Sequence, residues 1–140
     1  MDSAETAVEA VRRRLTPRSV ALYLCTPSNP TGRLLSRSWL EALAEWARRE
    51  NLWLLADEVY RGAEMDGPRG ATFWGRYERV ICTGGLSKAY GLPGLRVGWA
   101  VAPAVAMVSA RRRRQTRTMK APPLQSTLVR CPVKIGRAHV

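Results

Sequence analysis

Lys88 is the only lysine in the first 110 residues, where every other positively charged side chain is an arginine. It lies in the glycine-rich stretch GGLSKAYGLPGLRVGW at 84–99. A guanidinium stays protonated at any accessible pH, whereas an ammonium can lose its proton when it is desolvated or lies near another cation, and it then becomes a nucleophilic amine. A lone lysine in a glycine-rich loop is therefore a candidate for covalent chemistry.

Four further side chains complete a set that suits one cofactor. They are the amide of Asn29, the carboxylate of Asp57, the phenol of Tyr60 and the guanidinium of Arg96. Pyridoxal phosphate needs a lysine for its aldehyde and a carboxylate that holds a proton on its pyridine nitrogen. Its phenolic oxygen needs donors such as an amide and a tyrosine, and its phosphate needs an arginine fork and backbone amides. Each residue alone has a simpler explanation, such as a turn former or a solvated charge, so the prediction depends on the five together.

The elements that must position these residues alternate between helix and strand. Helical spacing predicts helices over 4–15 and 38–50, and the second begins with a capping box formed by Ser38 and Glu41. Short apolar runs predict strands at 20–24, 52–56, 79–83 and 97–102, and a further helix is predicted after Pro103. The uninterrupted apolar run at 52–56 is typical of a strand covered on both faces.

This order of elements predicts an α/β fold with helices layered on a mostly parallel sheet. Three loops leave the ends of predicted strands: TPSNPTG at 26–32, DEVYR at 57–61 and TGGLSKAYGLPGLR at 83–96. Ligands collect at such strand ends in open α/β sheets. We therefore expect the polar side chains of the three loops to face one pocket.

Length and composition are those of one modest globular domain, because the chain has 140 residues of which 46% are hydrophobic. No apolar run is long enough to span a bilayer and the N-terminus has no apolar signal core, so we expect a cytoplasmic protein without a membrane partner. Cys25, Cys82 and Cys131 show no paired spacing, which indicates neither a disulfide framework nor a metal site. They are expected to be small buried residues.

The net charge of +12 is concentrated near the end of the chain. Residues 1–110 carry 14 basic and 11 acidic side chains, whereas residues 111–140 carry 9 basic and no acidic ones. The run RRRRQTR at 111–117 would bind nucleic acid with a steep salt dependence if it were functional. A charge run is more commonly a solvated face, so no nucleic-acid partner is expected.

The final hexapeptide, IGRAHV at 135–140, reads like the translation of a sequencing-library adapter. We expect that it is not biological, and that the sole histidine, His139, has no role. A natural basic tail is the alternative. The expected domain then covers 1–134 and is incomplete at both ends.

Three of the motifs resemble the consecutive signatures of one enzyme family. SNPTG at 28–32, DEVY at 57–60 and SKAYGLPGLRVGW at 87–99 are similar to those of the class I/II aminotransferases, which are pyridoxal phosphate enzymes of fold type I. Order, spacing and residue type agree at all three places, and the resemblance extends over about residues 17–107. It implies the central part of the large domain of that fold.

The resemblance also implies a role for each residue. Lys88 would form the internal aldimine and move the proton between the substrate α-carbon and C4′ of the cofactor. Asp57 would pair with the pyridinium nitrogen, and Asn29 and Tyr60 would hydrogen-bond the phenolic oxygen. Arg96 would bind the phosphate.

One position departs from the family pattern. Many relatives carry a serine three residues before the lysine, and its hydroxyl contacts the phosphate, whereas this chain has Gly85. Backbone amides of Gly84 and Gly85, or the hydroxyl of Ser87, are expected to replace it at some cost in phosphate affinity.

The function that the resemblance implies is transfer of an amino group between an amino acid and a 2-oxo acid. A homodimer is expected for the full-length protein. In relatives, the aromatic ring that stacks on the cofactor comes from an upstream segment and the arginine for the substrate carboxylate comes from a downstream domain, so the isolated chain is expected to be inactive. Two alternatives remain: another fold type I enzyme, such as a lyase or decarboxylase, and the aminotransferase-like sensor domain of a transcription regulator.

Overall fold

The computed structural model describes residues 4–106 and 129–130. The elements in chain order are α1 (Ala4–Arg12), β1 (Ala21–Cys25), α2 (Arg37–Arg49), β2 (Trp53–Asp57), β3 (Val80–Gly85), a 3₁₀ turn (Pro93–Leu95), β4 (Gly98–Val101) and β5 (Val129–Arg130). The helix predicted after Pro103 begins at Ala104, and its continuation lies outside the described residues. Cys131, the arginine run at 111–117 and the hexapeptide at 135–140 also lie outside them.

The five strands form one sheet in the order β1-β2-β3-β4-β5. Strands β1, β2 and β3 are parallel, whereas β4 is antiparallel to β3 and β5 is antiparallel to β4. The predicted α/β class with a mostly parallel sheet is confirmed, and the parallel part consists of the first three strands. In the register of the parallel part, Cys25 and Asp57, the last residues of β1 and β2, lie side by side, and Asp57 lies beside Thr83, two residues before the end of β3. The loops that follow these strands therefore leave the sheet from one edge.

One face of the sheet, here called the covered face, packs under α2. The predicted helix over 38–50 is confirmed to within one residue at each end, and its buried residues, Leu40, Leu43, Ala44, Trp46 and Ala47, form its apolar side. They form one core with covered-face residues of the strands, among them Leu54, Ala56, Val80 and Cys82. Burial of this apolar surface, at about 25 cal/mol per Å², is the main force that holds helix and sheet together.

The opposite face, here called the open face, carries Tyr23, Leu55, Asp57, Ile81 and Thr83. Along β2, Leu54 and Ala56 are buried, whereas Leu55 and Asp57 are only half-buried. The prediction that 52–56 is covered on both faces is therefore wrong for the part of the chain that the structure describes. Side chains alternate between faces, and α2 covers only one of them. Tyr23, which is 62% exposed, shows how open the second face is.

The start of α2 also differs from the prediction. The N-cap is Ser36, whose hydroxyl accepts from the backbone N–H of Trp39 at 3.3 Å, so the capping box of Ser38 and Glu41 is wrong. Ser36 has the extended backbone that a cap requires, with φ −67° and ψ 162°, whereas Ser38 already lies in the helix. Glu41 instead accepts from the Arg76 guanidinium at 2.9 Å. Helix α1 likewise ends at Arg12, earlier than predicted.

Glu58, which directly follows β2, fastens a loop to the covered face. Its carboxylate accepts from the Thr72 hydroxyl at 2.8 Å, from the backbone N–H of Phe73 at 2.8 Å and from the Cys82 thiol at 3.5 Å. Burial, followed by the nearby Glu58 charge, raises the pKa of Cys82 to about 12. Phe73 is fully buried beneath this contact. The loop that follows Glu58 is therefore held by the core.

No helix in the described ranges, 4–106 and 129–130, combines the length and the apolar character that crossing a membrane would need.

Candidate active site

Asp57 ends β2 with its carboxylate fixed by three donors. Oδ1 accepts from the backbone N–H of Val59 at 3.2 Å and from the Thr83 hydroxyl at 3.3 Å. Oδ2 accepts from the Tyr23 hydroxyl at 3.0 Å. This hydrogen bond to Asp57, with desolvation as the second cause, raises the pKa of Tyr23 above its ordinary value.

Tyr23 and Thr83 are functional candidates that the sequence analysis missed. They lie on the two strands that flank β2, and the alternation of side chains puts both on the open face with Asp57. Thr83 ends the predicted strand 79–83 and Asp57 directly follows the predicted strand 52–56, so the sequence placed both near the same end of the sheet, but it did not give the register that pairs them. Tyr23 gave no such signal, because it looked like one more apolar residue of a strand.

Asn29, Tyr60 and Lys88 come from three different loops and meet. The amide of Asn29 donates to the hydroxyl of Tyr60 at 3.2 Å. The Nζ atom of Lys88 lies 5.4 Å from the centroid of the Tyr60 ring, within the range of a cation–π contact. The tyrosine therefore connects the predicted nucleophile with the predicted amide donor.

The loop that carries Lys88 begins directly after β3, and Lys88 is the third residue after Gly85. The backbone N–H of Leu92 donates to the carbonyl of Leu86 at 3.0 Å, and that of Gly91 donates to the carbonyl of Lys88 at 3.0 Å. Gly91 has φ +63°, which a glycine adopts without strain. The loop is thus closed on itself, and it presents the exposed Lys88 side chain at the start of a tight turn.

Arg96 and Asp57 line one cavity of about 480 Å³, together with Ser87. Arg96 follows the 3₁₀ turn in a left-handed conformation, φ 50° and ψ 37°, and its Nη1 donates to the carbonyl of Pro93 at 3.4 Å. Asn29 and Tyr60 line a second cavity of about 540 Å³. The predicted residues are therefore brought together in two groups, where the sequence analysis expected a single pocket.

The two glycines before the lysine loop belong to β3, which runs two residues further than predicted. A Cβ atom on Gly84 would lie 2.6 Å from Nε1 of Trp99, so the indole occupies the space that a side chain would need. A Cβ atom on Gly85 would lie 3.2 Å from the carbonyl oxygen of Val97. The serine that many relatives carry at this position would push against that carbonyl, whereas Ser87 already lines the cavity of Arg96.

Comparison with known proteins adds independent information about this site. Residues 2–130 match the family described as aminotransferase class I and II. The arginine–pyruvate transaminase of Pseudomonas aeruginosa is 41% identical over 98 residues, which are 69% of this chain and 25% of that protein. An aromatic-amino-acid aminotransferase of Thermococcus litoralis is 37% identical over 100 residues, 69% of this chain and 26% of that protein. The chain thus spans about a quarter of the length of these curated relatives.

Solved structures agree with the sequence comparison. The N-succinyldiaminopimelate aminotransferase of Mycobacterium tuberculosis superposes with a TM-score of 0.67 at 39% identity, covering 77% of this chain and 29% of that chain. A PLP-dependent aminotransferase of Streptococcus suis gives a TM-score of 0.67 at 32% identity, covering 76% of this chain and 28% of that chain.

Proposed function

Because the chain belongs to the class I and II aminotransferase family, we propose that its described residues form the cofactor centre of an enzyme that transfers an amino group between an amino acid and a 2-oxo acid. Pyridoxal phosphate, when bound, supplies an electron-withdrawing ring that stabilises negative charge at the substrate α-carbon. The observation that carries the proposal is the Asp57 carboxylate, held by three donors on the sheet edge from which the Lys88 loop leaves.

The chemistry of the donor set fits this cofactor. Asp57 is a pure acceptor that can hold a proton on a ring nitrogen, and the paired Asn29 amide and Tyr60 hydroxyl suit a phenolic oxygen. Arg96 offers a guanidinium fork for a phosphate dianion. The Lys88 amine carries the covalent link to the cofactor aldehyde and, once released, takes or gives a proton at Nζ.

Ser87 contributes to the same centre in place of the missing serine. Ser87 and Arg96 line the same cavity, and the hydroxyl of one and the guanidinium of the other are both donors suited to a phosphate. This assignment keeps the phosphate contacts of the family pattern while moving the hydroxyl by two positions.

The named relatives favour transamination over the other reactions that the same residues allow. The curated proteins and solved structures compared above are described as aminotransferases or transaminases, which supports neither a lyase or decarboxylase nor a sensor domain. We further propose that the complete protein is a homodimer. Its substrates are an amino acid and a 2-oxo acid.

Covalent capture of the cofactor tests the centre directly. The 140-residue chain is incubated with pyridoxal phosphate and reduced with borohydride, and the labelled lysine is identified by peptide mass spectrometry. The sequence offers only Lys88, Lys120 and Lys134 as lysine targets, and we expect the label on Lys88. Lys120→Arg and Lys134→Arg are matched controls that should keep the label, whereas Lys88→Arg should lose it. Equal labelling of all three lysines would contradict the proposed centre.

Transfer itself is tested in a chimera. Residues of this chain replace the matching segment of the Mycobacterium tuberculosis N-succinyldiaminopimelate aminotransferase, and transamination is measured with and without Lys88→Ala. We expect the chimera to transaminate and the substituted chimera to be inactive, because no other amine takes the place of Lys88. Activity that survives the substitution would remove Lys88 from the mechanism.

A further inference from the structure

The acceptor positions of Asp57 are nearly, but not completely, filled. A carboxylate offers about four lone-pair positions, two on each oxygen. Oδ1 receives the Val59 N–H and the Thr83 hydroxyl, which fill both of its positions. Oδ2 receives the Tyr23 hydroxyl alone. Among residues 4–106, one position on Oδ2 therefore has no donor.

The donors that fix Asp57 come from three separate places in the fold. Val59 belongs to the chain that follows β2, Thr83 to β3 on one side and Tyr23 to β1 on the other. Rotating the carboxylate about its last bond would move both oxygens away from their donors, so at least one hydrogen bond would be lost. The remaining position on Oδ2 consequently has a defined direction.

Tyr23 has an arrangement that packing alone does not explain. Its side chain is on the open face and is 62% exposed, yet its hydroxyl lies 3.0 Å from Oδ2 of Asp57. An aromatic residue this exposed buries little apolar surface, and a phenylalanine would bury about as much. What the tyrosine adds at this position is its hydroxyl donor.

We propose that Tyr23 and Thr83 are positioning residues, which orient the Asp57 carboxylate from the two flanking strands so that the last acceptor position on Oδ2 receives the N–H of a pyridinium ring. The inference rests on the function proposed above. Neither residue touches the reacting atoms, and both act through Asp57. Removing either hydroxyl loosens the carboxylate, and we expect pyridoxal phosphate to bind about 3- to 10-fold more weakly, as for the loss of one hydrogen bond.

The hydrogen bond from the Tyr23 hydroxyl to Oδ2 of Asp57 can be tested without any cofactor. Ionisation of tyrosines is followed by absorbance at 295 nm, and the difference between the unsubstituted chain and Tyr23→Phe isolates Tyr23. We expect it to ionise above the ordinary tyrosine value of about 10, and Asp57→Asn to move it back down because the negative partner is gone. Tyr77, whose pKa burial raises on the covered face, is the control and should not respond to Asp57→Asn. An unchanged Tyr23 titration in Asp57→Asn would overturn the proposal.

Two ligands test whether the remaining acceptor position on Oδ2 of Asp57 faces the ring nitrogen of the cofactor. Pyridoxal phosphate and its 1-deaza analogue, in which carbon replaces the ring nitrogen, are titrated into the chain and into Tyr23→Phe, Thr83→Val and Tyr77→Phe. We expect Tyr23→Phe and Thr83→Val to weaken pyridoxal phosphate only, because the analogue has no N–H for Oδ2, and Tyr77→Phe to leave both affinities unchanged.

Two outcomes separate the inference from the proposed function. If Lys88 is labelled by pyridoxal phosphate but both hydroxyl variants bind it as tightly as the unsubstituted chain, the positioning role is wrong and the cofactor centre stands. If the unsubstituted chain shows no labelling of Lys88, both proposals fail. Equal weakening for the two ligands would show a general structural effect, and this also overturns the positioning role.

Discussion

Asp57 and Glu58 are consecutive carboxylates, and they lie on opposite sides of the sheet in opposite circumstances. Glu58 accepts from Thr72, Phe73 and Cys82, and these contacts fasten a loop to the core. Asp57 accepts from strand neighbours on the open face and keeps one position on Oδ2 that no described residue fills. The same chemical group is thus a structural link on one face and a candidate ligand on the other.

This difference follows from the period of a strand. Consecutive residues point to opposite faces, so adding α2 to one face buries every second side chain and leaves the next ones accessible. Polar groups that the core surrounds must have their hydrogen bonds satisfied. Polar groups on the open edge have room for a ligand, and this is where the site residues collect. Three pairs of positions test the comparison between the faces, and a fourth pair tests the helix that covers one of them.

The largest difference is expected between two thiols. Burial raises the pKa of Cys82, on the covered face, to about 12. At pH 8 this leaves roughly a thousandfold less thiolate than an ordinary thiol pKa of 9.0 would. Cys25, on the open face, is only half-buried. We expect iodoacetamide to modify Cys25 in the native chain long before Cys82, as followed by mass spectrometry. In urea the two cysteines should react at similar rates. Equal rates without urea would contradict the burial of Cys82 on the covered face.

Two neighbouring leucines of β2 give the second test. Leu54 is fully buried on the covered face, so Leu54→Ala should lower the free energy of unfolding by about 3 kcal/mol, within the usual range of about 2–5 for a buried leucine. Leu55→Ala, on the open face, should cost roughly half of that or less, because its side chain is already in partial contact with water. Urea denaturation measures both. If Leu55→Ala costs as much as Leu54→Ala, something covers the open face.

Several features of this comparison could be predicted from the sequence, and others could not. Apolar runs and helical spacing predict the elements and their order, and strand ends in a parallel sheet share an edge, so Asn29, Asp57 and Lys88 were expected at that edge. The run at 52–56 could not show which face stays open, because both of its faces are apolar. The bond from Tyr23 to Asp57 depends on the register of β1 against β2, which no local pattern determines.

Short-range details also escaped prediction for physical reasons. Ser36 and Ser38 are both good capping residues, and only the backbone conformation decides between them. Gly84 and Gly85 looked like loop glycines, but they continue β3 because the indole of Trp99 takes the place of a side chain beside Gly84. Such choices are made by tertiary contacts, which a pattern of residue types does not contain.

The two carboxylates provide the third test, because one substitution should affect mainly stability and the other mainly cofactor binding. Glu58→Gln replaces an acceptor with a donor beside groups that already donate, so it should lower the free energy of unfolding by about 1–3 kcal/mol and leave the intrinsic affinity for pyridoxal phosphate unchanged. Asp57→Asn should change stability little and should weaken cofactor binding about 10- to 100-fold, the loss of a charged hydrogen bond. Urea denaturation and cofactor titration are measured on the same samples.

Similar loss of cofactor affinity in Glu58→Gln and Asp57→Asn would contradict the separate roles of the two carboxylates. If Glu58→Gln weakened the cofactor as much as Asp57→Asn does in chains that remain folded, the two faces would not be functionally separate. The conservative substitutions keep size and shape, so the outcome reports on charge and hydrogen bonding rather than on packing.

The smallest effect is expected at the helix that covers the sheet. Ser36→Ala removes the acceptor of the Trp39 N–H and should cost about 1 kcal/mol of unfolding free energy. Ser38→Ala is the matched control and should cost less, because its hydroxyl contacts only that of Ser36. Since α2 packs on the covered face, fraying its first turn should leave cofactor binding at the open edge unchanged. Equal losses of unfolding free energy for the two serines would support the capping box of Ser38 and Glu41 that the sequence predicted. Loss of cofactor binding in Ser36→Ala would show that the site at the open edge depends on the helix cap.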